Sequence, residues 1–152
     1  MPSCPMPSDP ADCDLSYRVN YPDTDAAGVI NHGRYIDMAE RARHDLLQRT
    51  GLSYASLSAE HGTLLVVHRL RATYHASGVL EDTLRLRTRL TMCSPARSSW
   101  VTEIHRRDTL LATVQAELAA LDPHTKRVRR HPDILLQCLA PYVRVQADRM
   151  HA

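Results

Sequence analysis

The segment Tyr21-Pro22-Asp23-Thr24-Asp25-Ala26-Ala27-Gly28-Val29-Ile30-Asn31-His32-Gly33-Arg34-Tyr35 gathers residue types that can do chemistry. Two carboxylates, a Gly and a His stand just before and within the first turn of an expected helix. A helix N-terminus presents unpaired backbone N–H groups and a partial positive charge, so it can hold a developing oxyanion. A carboxylate a few residues upstream can fold back to the same spot, where it attacks a carbonyl carbon or deprotonates a water. Those two parts are what thioester hydrolysis requires. Aspartates before a helix also serve as caps and turn formers, and spacing alone leaves both readings open. Asp23 is expected to hold the loop by accepting local N–H bonds rather than to react.

The flanking elements must position this segment. Leu15, Tyr17 and Val19 alternate with polar residues, which predicts a strand over about Leu15 to Tyr21. Asn31 is a plausible N-cap, and Tyr35, Ile36, Ala39, Ala42, Leu46 and Leu47 recur at helical spacing before Gly51, so one helix of about 18 residues follows. Glu40, Arg41, Arg43 and Asp45 are expected on its wetter side. Ser53 to His61 reads as a connection with a short helical turn. From Leu64 to Leu121 the pattern is β: Val66, His68, Leu70, Ala72 and Tyr74 share one parity, and Leu84, Leu86, Leu90 and Met92 alternate with Arg85, Arg87 and Arg89. A strand around Trp100 to Arg106 follows a turn at Ser94 to Ser98. Leu110 to Leu121 is apolar on nearly both parities, as for a strand buried on two sides, and a short helix opens at Pro132. The order gives an α+β fold, one long helix packed on a curved five-stranded antiparallel sheet. The apolar edge left over suggests a partner subunit. Residues 1–13, rich in Pro, read as a disordered arm, 14–140 as the domain and 141–152 as a polar tail.

Composition excludes several classes. With 152 residues and 43% hydrophobic content, one domain with one real core is expected. The net charge of +2 is far from that of a nucleic-acid binder, so no nucleic-acid partner is expected. Lys126 is the sole lysine, and the arginines cluster between His68 and Arg130, a weak pointer to a phosphate site. No apolar run reaches a membrane span, and the first residues lack the features of a signal peptide, so a cytoplasmic protein is expected. Cys4, Cys13, Cys93 and Cys138 form no CxxC pair and read as free, reduced thiols. The nine histidines form no HxH or HxxxH pair, and no metal is expected.

The run YPDTDAAGVINHGRY, followed by Glu40-Arg41-Ala42-Arg43, resembles the signature of the YbgC-like branch of the hydroxybenzoyl-CoA thioesterase superfamily. The likeness continues through Leu65 to His68, Tyr74, Leu80-Glu81-Asp82 and Asp122-Pro123, covering about Ser16 to Leu139. It implies a hot-dog fold, assembly into a homodimer or homotetramer, and hydrolysis of an acyl-CoA or related thioester without a metal or other cofactor, CoA being part of the substrate. By motif position it implies Asp25 as the catalytic carboxylate and His32 as its active-site partner, with backbone N–H groups of the helix start on the thioester carbonyl. Ala27 stands where that family commonly has Gly, and Asn31 where an aromatic residue is common; Asn31 is thereby a candidate for the acyl pocket.

Around this core, Gly28 shapes the loop and Tyr21 is a candidate for a hydrogen bond near the site. A CoA substrate brings phosphates, for which Arg69, Arg71 and Arg97 are the candidate donors. His68 reads as a buried, hydrogen-bonded histidine. The competing functions are a hot-dog hydratase or dehydratase acting on acyl thioesters, and a non-catalytic acyl-thioester-binding protein. The intact Asp25, Gly28 and His32 argue against the second.

Overall fold

The structure is a computed structural model that describes residues 14–144. Its elements run β1 (Asp14–Arg18), α1 (His32–Arg49), α2 (Tyr54–His61), β2 (Leu64–Tyr74), β3 (Thr83–Cys93), β4 (Ser98–Arg106), β5 (Thr109–Leu121), β6 (Val128–Arg129) and α3 (Asp133–Leu139). The strands form one antiparallel sheet in the order β1-β3-β4-β5-β2, and the two-residue β6 adds to β5. The expected five-stranded sheet is present, with β6 as its sixth strand.

Helix α1 starts where Asn31 accepts the Gly33 N–H with its side chain, and it ends before Gly51, whose φ of 90° suits a residue without a Cβ. Tyr35, Met38, Ala39, Ala42, Leu46 and Leu47 form its buried face. The two alanines let the helix backbone come close to the sheet, against Leu84, Leu86, Ile104, Ala112 and Val114. Arg43 is a correction: it is 2% exposed rather than on the wet side, and its Nε and Nη1 lack hydrogen-bond partners among the described residues. Burial lowers its pKa, opposed by Tyr54 and Glu40 nearby. Its position at the α1–α2 contact, which helical periodicity cannot register, covers it. The Ser53–His61 connection is a full helix because Ser53 and Ser56 cap it reciprocally.

Two strand readings change. A bulge between Val67 and Arg69 inserts His68 as the extra residue, so His68 is exposed rather than buried and the parity reverses there. A second irregularity, between Leu90 and Met92, turns Met92 outward. The strand buried on both faces is β4, where Trp100 to Ile104 are all buried. It lies centrally in the sheet, with the Arg89–Glu103 ion pair (2.6 Å) beside it on the outer face. Strand β5 keeps Gln115 exposed and Glu117 partly so.

The far end of α1 is closed by α2, α3 and the 3-10 turn Ala140–Tyr142. Leu46, Leu57, Trp100, Leu118, Leu135, Leu139 and Tyr142 share one cluster, so packing runs past residue 140. Arg144 donates its backbone N–H to Leu90. Buried His131 donates its backbone N–H to Pro95, and its Nε2 lies 3.4 Å from Ser98 Oγ, which accepts the Trp100 indole N–H at 2.8 Å. Cys93 is free and burial pushes its thiol up to about 11, too high for a nucleophile at neutral pH. Cys138 is disulfide-bonded, which corrects the expectation of free thiols; sequence spacing carries no record of which sulfurs meet in space. Cys4 and Cys13 lie outside the described residues, as does the arm of residues 1–13. Among the described residues no helix is long and apolar enough to cross a membrane.

Candidate active site

The loop between β1 and α1 is built by local hydrogen bonds. Tyr21–Asp23 make a short 3-10 turn after Asn20, in which the buried Asp23 carboxylate accepts the Asn20 N–H at 2.9 Å and the Tyr17 hydroxyl at 3.0 Å. Burial, then the Asp23 carboxylate, raises the Tyr17 pKa. Asp23 also accepts the Asn31 N–H through its carbonyl, tying the loop's entry to the helix start. Asp23 is thus structural, as its type and position suggest.

Between those anchors the chain reverses. Thr24 bridges Ile30, the Asp25 N–H donates to Val29, and the Gly28 N–H donates to Asp25, closing a turn with Gly28 at φ 80°. Ala27 carries no positive φ, so its methyl group is tolerated where a Gly was expected. Asp25 is exposed at the tip, with Oδ1 accepting the Ala27 N–H at 2.9 Å and Oδ2 without a hydrogen bond among the described residues.

The helix start is equally resolved. Of the first N–H groups of α1, that of Gly33 goes to the Asn31 side chain and that of Arg34 to the Asn31 carbonyl. The His32 N–H has no acceptor among the described residues. The loop is pinned across the sheet, because the Ile30 N–H donates to the Gly78 carbonyl and Val29 bridges Val79. Gly78 in turn donates its N–H to the Tyr35 hydroxyl at 3.1 Å. A Cβ at Gly78 would lie 2.4 Å from Ile30 Cδ1, so any larger residue there requires the Ile30 side chain to turn aside.

His32 lines a cavity of about 280 Å³ with Ile30, Tyr35, Tyr74, His75, Ala76 and Ser77. The Tyr74 hydroxyl donates to the His32 carbonyl at 2.9 Å, and its ring meets His32 edge-on and Tyr35 at a tilt. Asp25, Gly28 and Asn31 therefore lie beside His32 on one loop and cap, while Asn31 is a capping residue outside the cavity lining. Tyr21 is 79% exposed, its carbonyl accepting Thr24. The cavity residues from Tyr74 to Ser77 and Gly78 were missed as site residues. Their signal was weak: a tyrosine on the inward parity at the end of β2, then a Gly in a turn.

The phosphate candidates lie elsewhere. Arg69 and Arg71 pair across the sheet with Glu117 and Gln115, on the face opposite α1, and line a groove of about 490 Å³ with Ser99 and Val101. Arg97 is held there by the Glu117 carboxylate, whose pKa that hydrogen bond lowers. Arg69 and Arg71 make no ion pair among the described residues. Nor, among those residues, do three or more His, Cys, Asp or Glu side chains converge on a point where a metal ion could be held.

A curved antiparallel sheet packed on one long helix, with a carboxylate loop feeding that helix's N-terminus, defines the hot-dog class of thioesterase. The chain matches the sequence profile of the thioesterase-like superfamily over residues 19–139 and belongs to that family. It is 32% identical over 116 residues to the acyl-CoA thioester hydrolase YbgC of Escherichia coli O6:H1, covering 76% of this chain and 86% of that one. The acyl-CoA thioesterase YbgC of Haemophilus influenzae is 30% identical over 105 residues, 69% of this chain and 77% of that one. Among solved structures, a probable thioesterase from Bartonella henselae superposes with a TM-score of 0.74 at 28% identity, covering 78% of this chain and 98% of that one. A DHNA-CoA thioesterase from Staphylococcus aureus gives 0.75 at 28% identity, covering 82% and 86%.

Proposed function

We propose that this thioesterase hydrolyses acyl-CoA to free acid and CoA, with Asp25 and the start of α1 as its machinery and no metal. The observation that carries the reading is the hydrogen-bond inventory of the loop. Asn31 occupies the Gly33 and Arg34 N–H groups, which leaves the His32 N–H for a carbonyl oxygen, and one Asp25 oxygen is left for the carbon or for water. In the general-base route Asp25 takes a proton from water as its oxygen bonds to the carbonyl carbon. The tetrahedral oxyanion rests on the His32 N–H, the C–S bond breaks, and the thiolate leaves and is protonated. In the nucleophilic route Asp25 itself bonds to the carbon, expels the thiolate and forms an anhydride that water then opens. The His32 side chain orients the thioester from the cavity wall, Gly28 and Tyr21 shape the approach to the loop, and Asn31 holds the helix start.

In this reading Arg69 and Arg71 receive the CoA phosphates, and Arg97 is the weaker candidate because Glu117 already engages it. An acyl-CoA substrate implies a cytoplasmic protein, with the Cys138 disulfide the one contrary observation. Two or four copies assemble in solution, since β2 ends the sheet as a strand of 11 residues whose outer edge is unpaired among the described residues. Release of free thiol, followed colorimetrically over acetyl-, hexanoyl-, dodecanoyl- and benzoyl-CoA, tests the reading. Tight binding of every thioester with no thiol released would sink it.

A further inference from the structure

The hairpin that joins β5 to β6 concentrates positive charge. Between Asp122 and His131 stand Lys126, Arg127, Arg129 and Arg130 against one carboxylate, an excess larger than the whole chain's net charge of +2. That carboxylate is engaged inside the turn, where Asp122 accepts the His124 and Thr125 N–H groups at 2.8 and 2.9 Å, and its backbone bonds to Lys126 and Arg127. Arg129 fixes the hairpin to the body of the protein. Its Nη1 donates to the His61 and Gly62 carbonyls at 3.0 and 2.6 Å, and the His131 N–H donates to Pro95. Three cations are left facing water. Lys126 and Arg127 make no ion pair or side-chain hydrogen bond among the described residues, and Arg130 has only a 3.9 Å approach to Asp133, both side chains well exposed. In their midst Val128 is 76% exposed, beside a recess of about 330 Å³ that it lines with Pro95 and Ala96.

We propose that this hairpin seats the protein on an anionic phospholipid bilayer, with Lys126, Arg127 and Arg130 against the headgroups and Val128 entering between them. An exposed apolar side chain among cations is the combination that holds a peripheral protein at a charged interface. Each basic side chain at such a surface gains about fivefold in partition, so three give on the order of 100-fold. Two other polyanions fit less well. Nucleic-acid binders set many cations along a track, and here three stand at one tip around a valine. A stable protein partner needs about 800 Å² of matched surface on each side, which a hairpin ending in a two-residue strand does not offer, whereas a fluid bilayer needs no matched shape. The placement leaves the chemistry free. Leu111, near the start of β5, accepts the His75 and Ala76 N–H groups of the cavity wall. The hairpin leaves β5 after Leu121, roughly 33 Å further along the strand. The bilayer meets the end of the sheet remote from Asp25, so the contact is independent of the reaction proposed there.

The test is cosedimentation of the full chain with sucrose-loaded vesicles, made either of phosphatidylcholine alone or of equal parts phosphatidylcholine and phosphatidylglycerol, at low ionic strength. Binding is expected to the mixed vesicles only, and it should fade as salt rises, since the screening length shrinks from about 30 Å at 0.01 M to about 3 Å at 1 M. Lys126→Gln, Arg127→Gln and Arg130→Gln should each lower the partition coefficient about fivefold, and the triple variant on the order of 100-fold. Val128→Ser leaves the charge alone and should lower it at least about threefold, the scale of withdrawing part of an apolar side chain from the bilayer. All four positions are exposed, so far-UV dichroism and thiol release without vesicles should match the wild type. Equal partition onto both kinds of vesicle, or full binding by the triple variant, overturns the proposal. Full binding by Val128→Ser, or a wild type that holds duplex DNA or polyglutamate more tightly than the mixed vesicles, assigns the patch to a soluble polyanion and overturns it as well.

Discussion

The two ends of α1 contrast in what covers them. At the N-terminal end, Asp25, Asn31 and His32 are exposed, and the loop is held by backbone and short side-chain hydrogen bonds to Asp23, Val29 and Gly78. At the C-terminal end, Leu46 and Leu47 disappear beneath α2, α3 and Trp100, and His131 is wholly buried. One helix thus has an end whose polar groups are left to act and an end whose apolar groups are left no contact with water. Reactivity at one end draws on rigidity at the other, because the helix start can be held still only if the rest of the helix is clamped to the sheet.

Substitutions should separate the two ends. The largest effect is expected from Asp25→Asn, which keeps the shape but removes the charge. kcat should fall by about 100- to 10,000-fold with the melting temperature unchanged, as thiol release and calorimetry on the same sample would show. More than about a tenth of wild-type turnover would remove Asp25 from the chemistry. At the sealed end, Trp100→Ala should cost about 3–5 kcal/mol of unfolding free energy in denaturant titration, while kcat per folded molecule stays near the wild-type value. Asp23→Asn sharpens the comparison, since Asp23 is buried yet belongs to the open end. Weakening its bonds to Tyr17 and Asn20 should cost about 1–3 kcal/mol and lower turnover only through the loop.

The smallest effect is a pH dependence. Burial lowers the His131 pKa below its ordinary value of 6.5, and among the described residues no charged group offsets that burial. The unfolded chain then binds a proton that the folded chain refuses, so stability is full above about pH 6.5 and falls as pH drops below it. The fall should level off beneath the folded-state pKa and be no steeper than about 1.4 kcal/mol per pH unit. His131→Gln should flatten that part of the profile in melting scans between neutral and mildly acidic pH. An unchanged slope would assign it to other groups.

The fold and the catalytic loop were readable in the sequence to different depths. Helix α1, its Asn31 cap and the strand pattern from Leu64 to Leu121 follow from periodicity, which local backbone geometry enforces. Arg43 and His68 were misplaced because their burial depends on the α1–α2 contact and on a bulge, neither of which leaves a periodic trace. The Asp25 loop was legible as a motif, but the cavity wall was not. Tyr74 and Gly78 reach His32 and Ile30 only through the sheet, across more than forty positions of chain in the Tyr74–His32 hydrogen bond alone, where |i−j| is 42. The arginines were read as phosphate donors from type; only the strand register reveals that Arg69 and Arg97 share a face with Glu117.

Gly78 bears on how this protein can vary. Its missing side chain is the space that Ile30 occupies, so the two positions behave as one volume divided between two residues. Gly78→Ala should therefore lower stability by the amount needed to turn the Ile30 side chain aside, and Ile30→Val or Ile30→Ala in the same clone should recover part of that loss. The allowed alphabet at a turn between two strands is thereby written by a residue on the far side of the helix cap.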